Sequence, residues 1–290
     1  MVGNTIGNSV PLLNHSQHPD YGPHYGANFF APETTFGPKG DLYLKNAKLY
    51  HPQDQLDPMY EMKYFLDNSF ENIGSALPNI GNTEDEKQQI KLFMKNIFAR
   101  QGGTGAPLAY PSTLDISDRN GDINTISYAC EILKEFKPKL LVVNLSGVDS
   151  AHGNFTSYLR SLHRADYAVG HLWNFIQSDP VLGGETILLA APECGRNSTP
   201  NAIKDPSKLF GYDHSDNNTS KVFAMMAGKG ITPATYNDID PAQNTGSEVA
   251  PDSMPETADI ALTIAEIFGL KTDVLNTGLT AYTQSLFDRM

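Results

Sequence analysis

The chain has 290 residues, of which 40% are hydrophobic and 10% aromatic, a composition typical of a globular protein with a sizeable core. Its 33 acidic and 21 basic residues give a formal net charge of −12, which argues against nucleic acid or an anionic membrane as the main partner. An anionic small molecule stays compatible with this charge, because a bound divalent metal can reverse the local field. The two cysteines, Cys130 and Cys194, are too few for a disulfide framework.

The sequence leaves the cellular compartment open. The first eleven residues lack the basic region and the apolar core of a signal peptide, and no apolar run is long enough to cross a membrane. The literal interpretation is a cytoplasmic protein. The start of the chain nevertheless looks internal, so a native N-terminus further upstream, with export or a periplasmic location, is the alternative.

Residues 1–118 are predicted to form a loop-rich and helical N-terminal region that packs on the core. Residues 1–55 are rich in Gly, Pro, Asn, His and Tyr and show little periodicity, which is typical of long loops. Helical periodicity follows over 57–70 and 83–100. The second of these helices opens with a capping box that starts at Thr83.

Two motifs in this region are interpreted as structural. Three histidines lie close together in the sequence, His15, His18 and His24, but loop histidines beside Pro and Gly are more often solvated than metal-bound. The Gly-Gly-Thr-Gly run from Gly102 to Gly105 lacks the lysine and the preceding strand of a phosphate-binding loop. It is interpreted as a linker.

Residues 119–290 are predicted to form the core domain. Three short apolar runs, bounded by Pro, Gly or polar residues, are typical of strands buried on both faces of a parallel sheet: Leu140–Leu145, Thr186–Ala191 and Val222–Ala227. Amphipathic helices are predicted around them, over 122–137, 158–176 and 257–268. This order predicts an α/β fold, a three-layer α/β/α sandwich with a mostly parallel sheet.

Polar side chains lie at or near the ends of these strands. They form three clusters: Asp149 with His152, Glu193 with Cys194, and Asp213 with His214 and Asp216. Carboxylate, imidazole and thiolate are ligands of zinc and related divalent metals. Because parallel topology gathers strand ends at one edge, we expect Asp149 and His214 to lie close enough to share a metal.

Several motifs of this region resemble the alkaline phosphatase superfamily, in particular its sulfatase, nucleotide phosphodiesterase and cofactor-independent phosphoglycerate mutase branch. The similar residues begin with Asn144–Gly153 (Asn-Leu-Ser-Gly-Val-Asp-Ser-Ala-His-Gly) and continue with Tyr158, Arg164–Asp166, Val169–Trp173, Asp259–Ile264, Phe268–Leu270 and Gln284–Leu286. The resemblance covers roughly residues 120 to 290. It implies an alkaline phosphatase-like three-layer sandwich.

The resemblance also implies a set of metal ligands. Asp149, His152 and His214 match residues that hold one metal, although the interval from Asp149 to His152 is one residue shorter than in the family. Glu193 and Cys194 stand where the family has the Asp-His pair of a second metal; Glu193 is the expected ligand, and Cys194 is expected in the core, with a ligand role as the alternative. Zinc is the expected metal, and manganese or calcium are alternatives.

The same resemblance implies a function. Arg196 and Asn197 are expected to bind the anionic part of a small-molecule phosphate or sulfate ester, which makes a metal-dependent hydrolase the leading hypothesis. A phosphotransferase or mutase of the same fold and a non-catalytic metal-binding member are the alternatives. The sequence does not address the oligomeric state.

The expected nucleophile is missing. The family carries a metal-binding Asp and a Thr or Ser after its first strand, and nothing before residue 120 is predicted to be a strand that ends in Asp followed by Ser or Thr. Thr5 and Ser9 are the early hydroxyls in a suitable turn, and no strand is predicted before them. We therefore expect that the nucleophile segment lies outside this sequence. The chain as given should then bind a metal weakly or at one site and show little turnover.

Overall fold

The computed structural model describes residues 2–3, 84–100, 121–201, 210–220, 222–232, 259–278 and 283–289. The chain divides into two compact units, Met1–Gly183 (unit 1) and Gly184–Met290 (unit 2). The predicted division into residues 1–118 and 119–290 is a different one and stays a prediction. None of the described helices is long and apolar enough to cross a membrane, which confirms that expectation for this part of the chain.

The described residues of unit 1 include three long helices: α1 (Glu84–Arg100), α2 (Gly121–Phe136) and α3 (Phe155–Ser178). Its other described elements are the strands β1 (Val2–Gly3) and β2 (Val143–Asn144) and a 3-10 helix (Gly147–His152), while the short helix α4 (Leu182–Glu185) crosses into unit 2. The three long helices lie where the sequence predicts them. Several predicted features lie outside the described residues: the helix 57–70, Thr83, the histidines at 15, 18 and 24, and Gly102–Gly105.

Helix α2 forms the centre of unit 1 because it is buried on almost every side. Ile123, Ile126 and Ala129 are at most 1% exposed. Helix α2 packs against α3, and an edge-to-face contact between Phe93 of α1 and Phe136 joins α1 to its C-terminal end, with ring centroids 5.0 Å apart. The buried residues of α2 include polar ones as well, such as Thr125 and Ser127, so this helix lies between other elements around most of its circumference.

The buried stripe of α3 differs from the predicted one. The periodicity predicts a stripe of Tyr158, Leu162, Ala165, Val169, Leu172 and Trp173. The structure instead buries Ser161, Ala168, Leu172 and Ile176, and Leu162 is 42% exposed. The observed residues still follow helical spacing, but the helix is rotated, so that its buried face has small residues at Ser161 and Ala168 and large apolar ones at Leu172 and Ile176.

Strands β1 and β2 pair in parallel, with Val2 opposite Val143 and Gly3 opposite Asn144. The expectation that no strand precedes Thr5 and Ser9 is therefore wrong, because a two-residue strand is too short to leave a hydrophobic pattern. Thr5 and Ser9 lie outside the described residues. The predicted strand Leu140–Leu145 is also shorter than expected, and Leu140 and Val142 are 53% and 38% exposed, so it is not buried on both faces.

Helix α2 ends at a lysine whose backbone adopts the left-handed conformation. Lys137 has φ 43°, and its N–H donates to the carbonyl of Leu133 at 3.1 Å, a common way to end a helix. The Lys137 Nζ donates to Asp179 at the end of α3 at 2.5 Å. The other Asp179 oxygen accepts the N–H groups of Val181 and Leu182. This carboxylate therefore links three consecutive helices.

Unit 2 contains the antiparallel strands β3 (Ile187–Ala190) and β4 (Met225–Gly228), with Ile187 opposite Gly228 and Ala190 opposite Met225. They lie within the predicted strands, apart from Gly228. The antiparallel pairing differs from the parallel one that continuous apolar runs favour. The described strands form two two-stranded pairs, β1–β2 and β3–β4, and the three-layer sandwich with a mostly parallel sheet stays a prediction.

The residues that the structure describes near the C-terminus of unit 2 include the helices α5 (Asp259–Ile267), α6 (Lys271–Asn276) and α7 (Leu286–Arg289). Two fully buried side chains of α5 accept backbone N–H groups from the last segment: Asp259 from Gln284 at 2.9 Å, and the hydroxyl of Thr263 from Leu286 at 2.8 Å. Lys271 donates to Glu266 and Asp288. These bonds hold α7 against α5.

Replacement of Gly228 by alanine should destabilise unit 2. Gly228 has φ +135°, and a Cβ there would lie 2.2 Å from the backbone oxygen of Thr186, so strain and a clash together should lower the free energy of unfolding by about 2–3 kcal/mol. Gly230→Ala is the control, because Gly230 also has a positive φ, +78°, but no atom lies near an added Cβ. This substitution should lower the free energy of unfolding by about 1 kcal/mol. Urea unfolding measures the free energy of unfolding of both variants. An equal loss in Gly228→Ala and Gly230→Ala would contradict the predicted clash.

The Lys137–Asp179 contact should make stability depend on pH below 4. The hydrogen bond from Lys137, followed by those from Leu182 and Val181, lowers the pKa of Asp179 from 3.8 to about 2. A carboxylate with a lowered pKa in the folded state stabilises the fold above its unfolded value, and this contribution is lost as the pH falls from about 4 to about 2. Lys137→Ala should raise the pKa of Asp179 and flatten that dependence.

The carboxyl titration of Asp179 by NMR measures this effect, with Lys139→Ala as the control because Lys139 is a nearby exposed lysine. A titration of Asp179 that is identical in the wild type and Lys137→Ala would exclude the ion pair as its main cause.

Candidate functional site

In unit 1, the predicted ligands Asp149 and His152 lie side by side. The Nε2 atom of His152 is 3.0 Å from Oδ1 of Asp149, and the two side chains are 36% and 69% exposed. They belong to the 3-10 helix Gly147–His152, in which residues three apart lie above one another because each turn has three residues. The short interval between them, which departs from the family pattern, is therefore the spacing that a 3-10 helix requires.

Backbone hydrogen bonds fix both ends of this helix. The N–H of Asp149 donates to Ser146, and the N–H groups of Gly153 and Asn154 both donate to Ser150. The side chain of Asn154 then caps α3 by accepting the N–H of Ser157 at 3.1 Å. The turn that carries Asp149 and His152 therefore runs directly into a 24-residue helix.

A buried carboxylate supports the start of the same turn. Asp122, near the N-terminus of α2, is fully buried. Its Oδ1 accepts the N–H of Ser146 at 3.0 Å, and its Oδ2 accepts the N–H of Gly147 at 3.0 Å. Sequence reasoning treats Asp122 as the start of a helix, where an acidic residue is favourable for local reasons, and so misses this contact 24 residues away.

Ser150 lies between the two predicted ligands in the sequence. Its Oγ atom is inaccessible to solvent and has no hydrogen-bond partner. Buried polar atoms without partners are uncommon and often mark the place of a water or ligand. Because the hydroxyl is inaccessible, it is poorly suited to attack a substrate.

In unit 2, two loops are joined by an extensive set of hydrogen bonds, which we call the clasp; it comprises Gly195–Asn201 and Gly211–Thr219. The side-chain oxygen of Asn197 accepts the N–H groups of Ser215 and Asp216, at 2.6 and 2.9 Å. The carboxylate of Asp216 accepts the N–H and the hydroxyl of Ser198, each at 2.8 Å. Each loop therefore supplies acceptors for the other.

Backbone contacts extend the clasp along both loops. The N–H of Asn197 donates to the carbonyl of Asp213 at 2.7 Å, and the N–H of Gly195 donates to Thr219 at 2.7 Å. The side chain of Asn218 donates to the carbonyl of Arg196 at 2.8 Å. Arg196 follows the predicted strand Thr186–Ala191, and His214 precedes the predicted strand Val222–Ala227. The two residues are thus held on two loops that are tied together.

The predicted residues of unit 2 differ in exposure. Glu193 and His214 are exposed, while Arg196, Asn197 and Cys194 are half-buried. Cys194 therefore lies between core and surface. The side-chain oxygen of Asn197 is occupied by two N–H groups of the clasp, and its amide nitrogen donates to Ser215. Its predicted contact with substrate stays a prediction beside this structural role.

The structure thus brings together some of the predicted residues of each unit. Asp149 meets His152 in unit 1, and the clasp joins the loops of Arg196, Asn197 and His214 in unit 2. The expectation that Asp149 and His214 share a metal concerns residues of both units and stays a prediction.

The cysteine that the core buries is not a candidate nucleophile. Desolvation by burial, and then the charge of Glu131, raise the pKa of Cys130 to about 12, so its thiol stays protonated at neutral pH. Burial also lowers the pKa of His171 on α3. Neither residue belongs to the predicted site.

Comparisons of the chain with models of protein families, with curated proteins and with solved structures found no match. The geometry of the site therefore carries the functional interpretation together with the resemblance described above.

Removal of the Asn197 side chain should loosen the clasp. In Asn197→Ala the N–H groups of Ser215 and Asp216 lose their acceptor, which should lower the free energy of unfolding by about 1–2 kcal/mol and speed the exchange of both amides. Urea unfolding measures the free energy, and amide hydrogen exchange measures the exchange rates of the Ser215 and Asp216 amides. Thr199→Ala, at an exposed neighbouring position, is the control, and unchanged exchange at Ser215 and Asp216 would contradict the role of Asn197.

Proposed function

We propose that this protein is a metal-dependent hydrolase of phosphate or sulfate esters. The observation that carries the proposal is the Asp149–His152 pair, a carboxylate and an imidazole 3.0 Å apart on a supported 3-10 turn. The resemblance to the alkaline phosphatase superfamily supplies the reaction class, and the pair supplies ligands of the expected kind.

The chemistry of the donors fits a divalent metal such as zinc. An imidazole nitrogen and a carboxylate oxygen are common zinc ligands, and both side chains are accessible from solvent. The expected further ligands are His214 and Glu193, which are exposed in unit 2. The solvent-inaccessible hydroxyl of Ser150, which has no partner, adds a polar atom within the same turn.

Each residue has a defined part in the proposed reaction. Asp149, His152 and His214 would hold one metal, and Glu193 would contribute at a second. A bound divalent metal would polarise the ester oxygens and stabilise the leaving group. Arg196 would contact the anionic group of the ester through its planar guanidinium, which suits paired contacts with phosphate or sulfate oxygens.

A non-catalytic metal-binding protein is the second candidate. It is favoured by one observation, namely that the hydroxyl nearest to the ligands in the sequence, that of Ser150, is inaccessible and cannot reach a substrate. Thr5 and Ser9 lie outside the described residues. Metal binding is common to both candidates, and turnover would identify the hydrolase.

Metal binding should depend on both predicted histidines. We expect His152→Ala and His214→Ala each to weaken zinc binding by at least roughly 100-fold, because the loss of an outer-shell partner alone typically costs roughly 10- to 100-fold. Isothermal titration with Zn²⁺, and with Mn²⁺ and Ca²⁺ for comparison, measures the affinity and the stoichiometry. His163→Ala is the matched control, since His163 is an exposed histidine of α3.

Unchanged zinc binding in His152→Ala and His214→Ala would exclude these residues as ligands and would remove the basis of the proposal. The same proteins are then assayed with an aryl phosphate and an aryl sulfate. Turnover that His152→Ala or His214→Ala abolishes supports the hydrolase and would show that a nucleophile lies within this sequence. Zinc binding without turnover is expected both of the non-catalytic candidate and of a hydrolase whose nucleophile segment lies outside this sequence.

A further inference from the structure

Asp122 is placed where a single side chain controls the position of the predicted ligands. It is 0% exposed, and its two oxygens accept the N–H groups of Ser146 and Gly147. Gly147 is the first residue of the 3-10 helix, and Asp149 follows two residues later. The N–H of Asp149 in turn donates to the carbonyl of Ser146, so the ligand is one hydrogen bond away from the residue that Asp122 holds.

A buried carboxylate is an energetically unfavourable way to hold a loop. The loss of hydration of a charged group destabilises the fold unless several donors compensate for it. Asp122 has such compensation from two backbone N–H groups and from its place in the first turn of α2, where the helix dipole favours a negative charge. Both oxygens are needed, because an amide in its place would offer one acceptor and direct a donor at the second N–H.

The 3-10 turn makes the ligand pair sensitive to this support. Asp149 and His152 face each other because the helix keeps three residues per turn, which is a less stable geometry than that of an α-helix. If the turn relaxed at its start, residues three apart would no longer lie above one another. The affinity of the pair for a metal would then fall without any change in the ligands themselves.

We infer that Asp122 is a positioning residue of the metal site, which fixes the geometry of Asp149 and His152 through the N–H groups of Ser146 and Gly147. This inference rests on the proposed function, because it assigns a supporting residue to the same site. It predicts that Asp122 affects metal affinity and ligand geometry more than its contribution to folding explains.

The test compares Asp122→Asn with Asp259→Asn in the full chain. Asp259 is the matched control, because it is also fully buried, lies in the first turn of a helix and accepts a backbone N–H 25 residues further along, but it holds the C-terminal segment instead. Titration with Co²⁺ followed by absorption spectroscopy measures the affinity and reports the ligand geometry. We expect Asp122→Asn to bind Co²⁺ roughly 10- to 100-fold more weakly with an altered spectrum, and Asp259→Asn to bind like the wild type.

A second measurement uses the wild-type protein and needs no substitution. If metal and Asp122 stabilise the same turn, their effects are reciprocal, and saturating Zn²⁺ should slow the hydrogen exchange of the Ser146 and Gly147 amides. The exchange of the Gln284 amide, which is bonded to Asp259, should not change. Unchanged exchange at Ser146 and Gly147 would overturn the inference even if Asp122→Asn failed to fold.

The outcomes separate this inference from the proposed function. Normal Co²⁺ affinity and spectrum in Asp122→Asn, or equal losses in both variants, would overturn the positioning role and leave the metal site in place. Absence of metal binding in the wild type, or binding that His152→Ala leaves unaffected, would overturn the proposed function and this inference with it.

Discussion

The pair of hydrogen bonds from Ser146 and Gly147 to the buried carboxylate of Asp122 is the contact on which the rest of unit 1 depends. It joins the central helix α2 to the turn between β2 and α3, and this turn carries the predicted ligands. Unit 2 uses the same device at Asp259, which holds the C-terminal segment against α5. A fully buried carboxyl group is tolerated in both places because it accepts backbone N–H groups in place of its lost water, two at Asp122 and that of Gln284 at Asp259.

Both units hold their predicted functional residues by means of polar contacts rather than apolar packing. In unit 1 the 3-10 helix aligns Asp149 with His152, and in unit 2 the clasp ties the loop of Arg196 to the loop of His214. Hydrogen bonds are directional, so they can fix the orientation of exposed loop residues that no core surrounds. This arrangement suits a binding site, which must combine solvent access with a defined geometry.

Much of the helical structure could be predicted from the sequence. Helices α1, α2, α3 and α5 follow from apolar residues at helical spacing, because burial of one face leaves this pattern in the sequence. The strands were predicted less well: β3 and β4 lie in or near predicted runs, but their antiparallel pairing and the short strand β1 were not foreseen. Pairing joins residues far apart in the chain, and hydrophobicity alone does not encode its direction.

The candidate site also has a part that could be predicted from the sequence and a part that only the structure shows. The residue types and their order along the chain predict a metal and anion site that comprises Asp149, His152, Glu193, Arg196, Asn197 and His214, and this prediction needs the sequence alone. The tertiary structure alone decided that a 3-10 turn brings Asp149 to His152, that Asn197 also serves the clasp, and that Asp122 holds the start of the turn that carries the predicted ligands. The physical reason is that these contacts depend on backbone N–H groups, which every residue other than proline carries and which therefore leave no mark in the sequence.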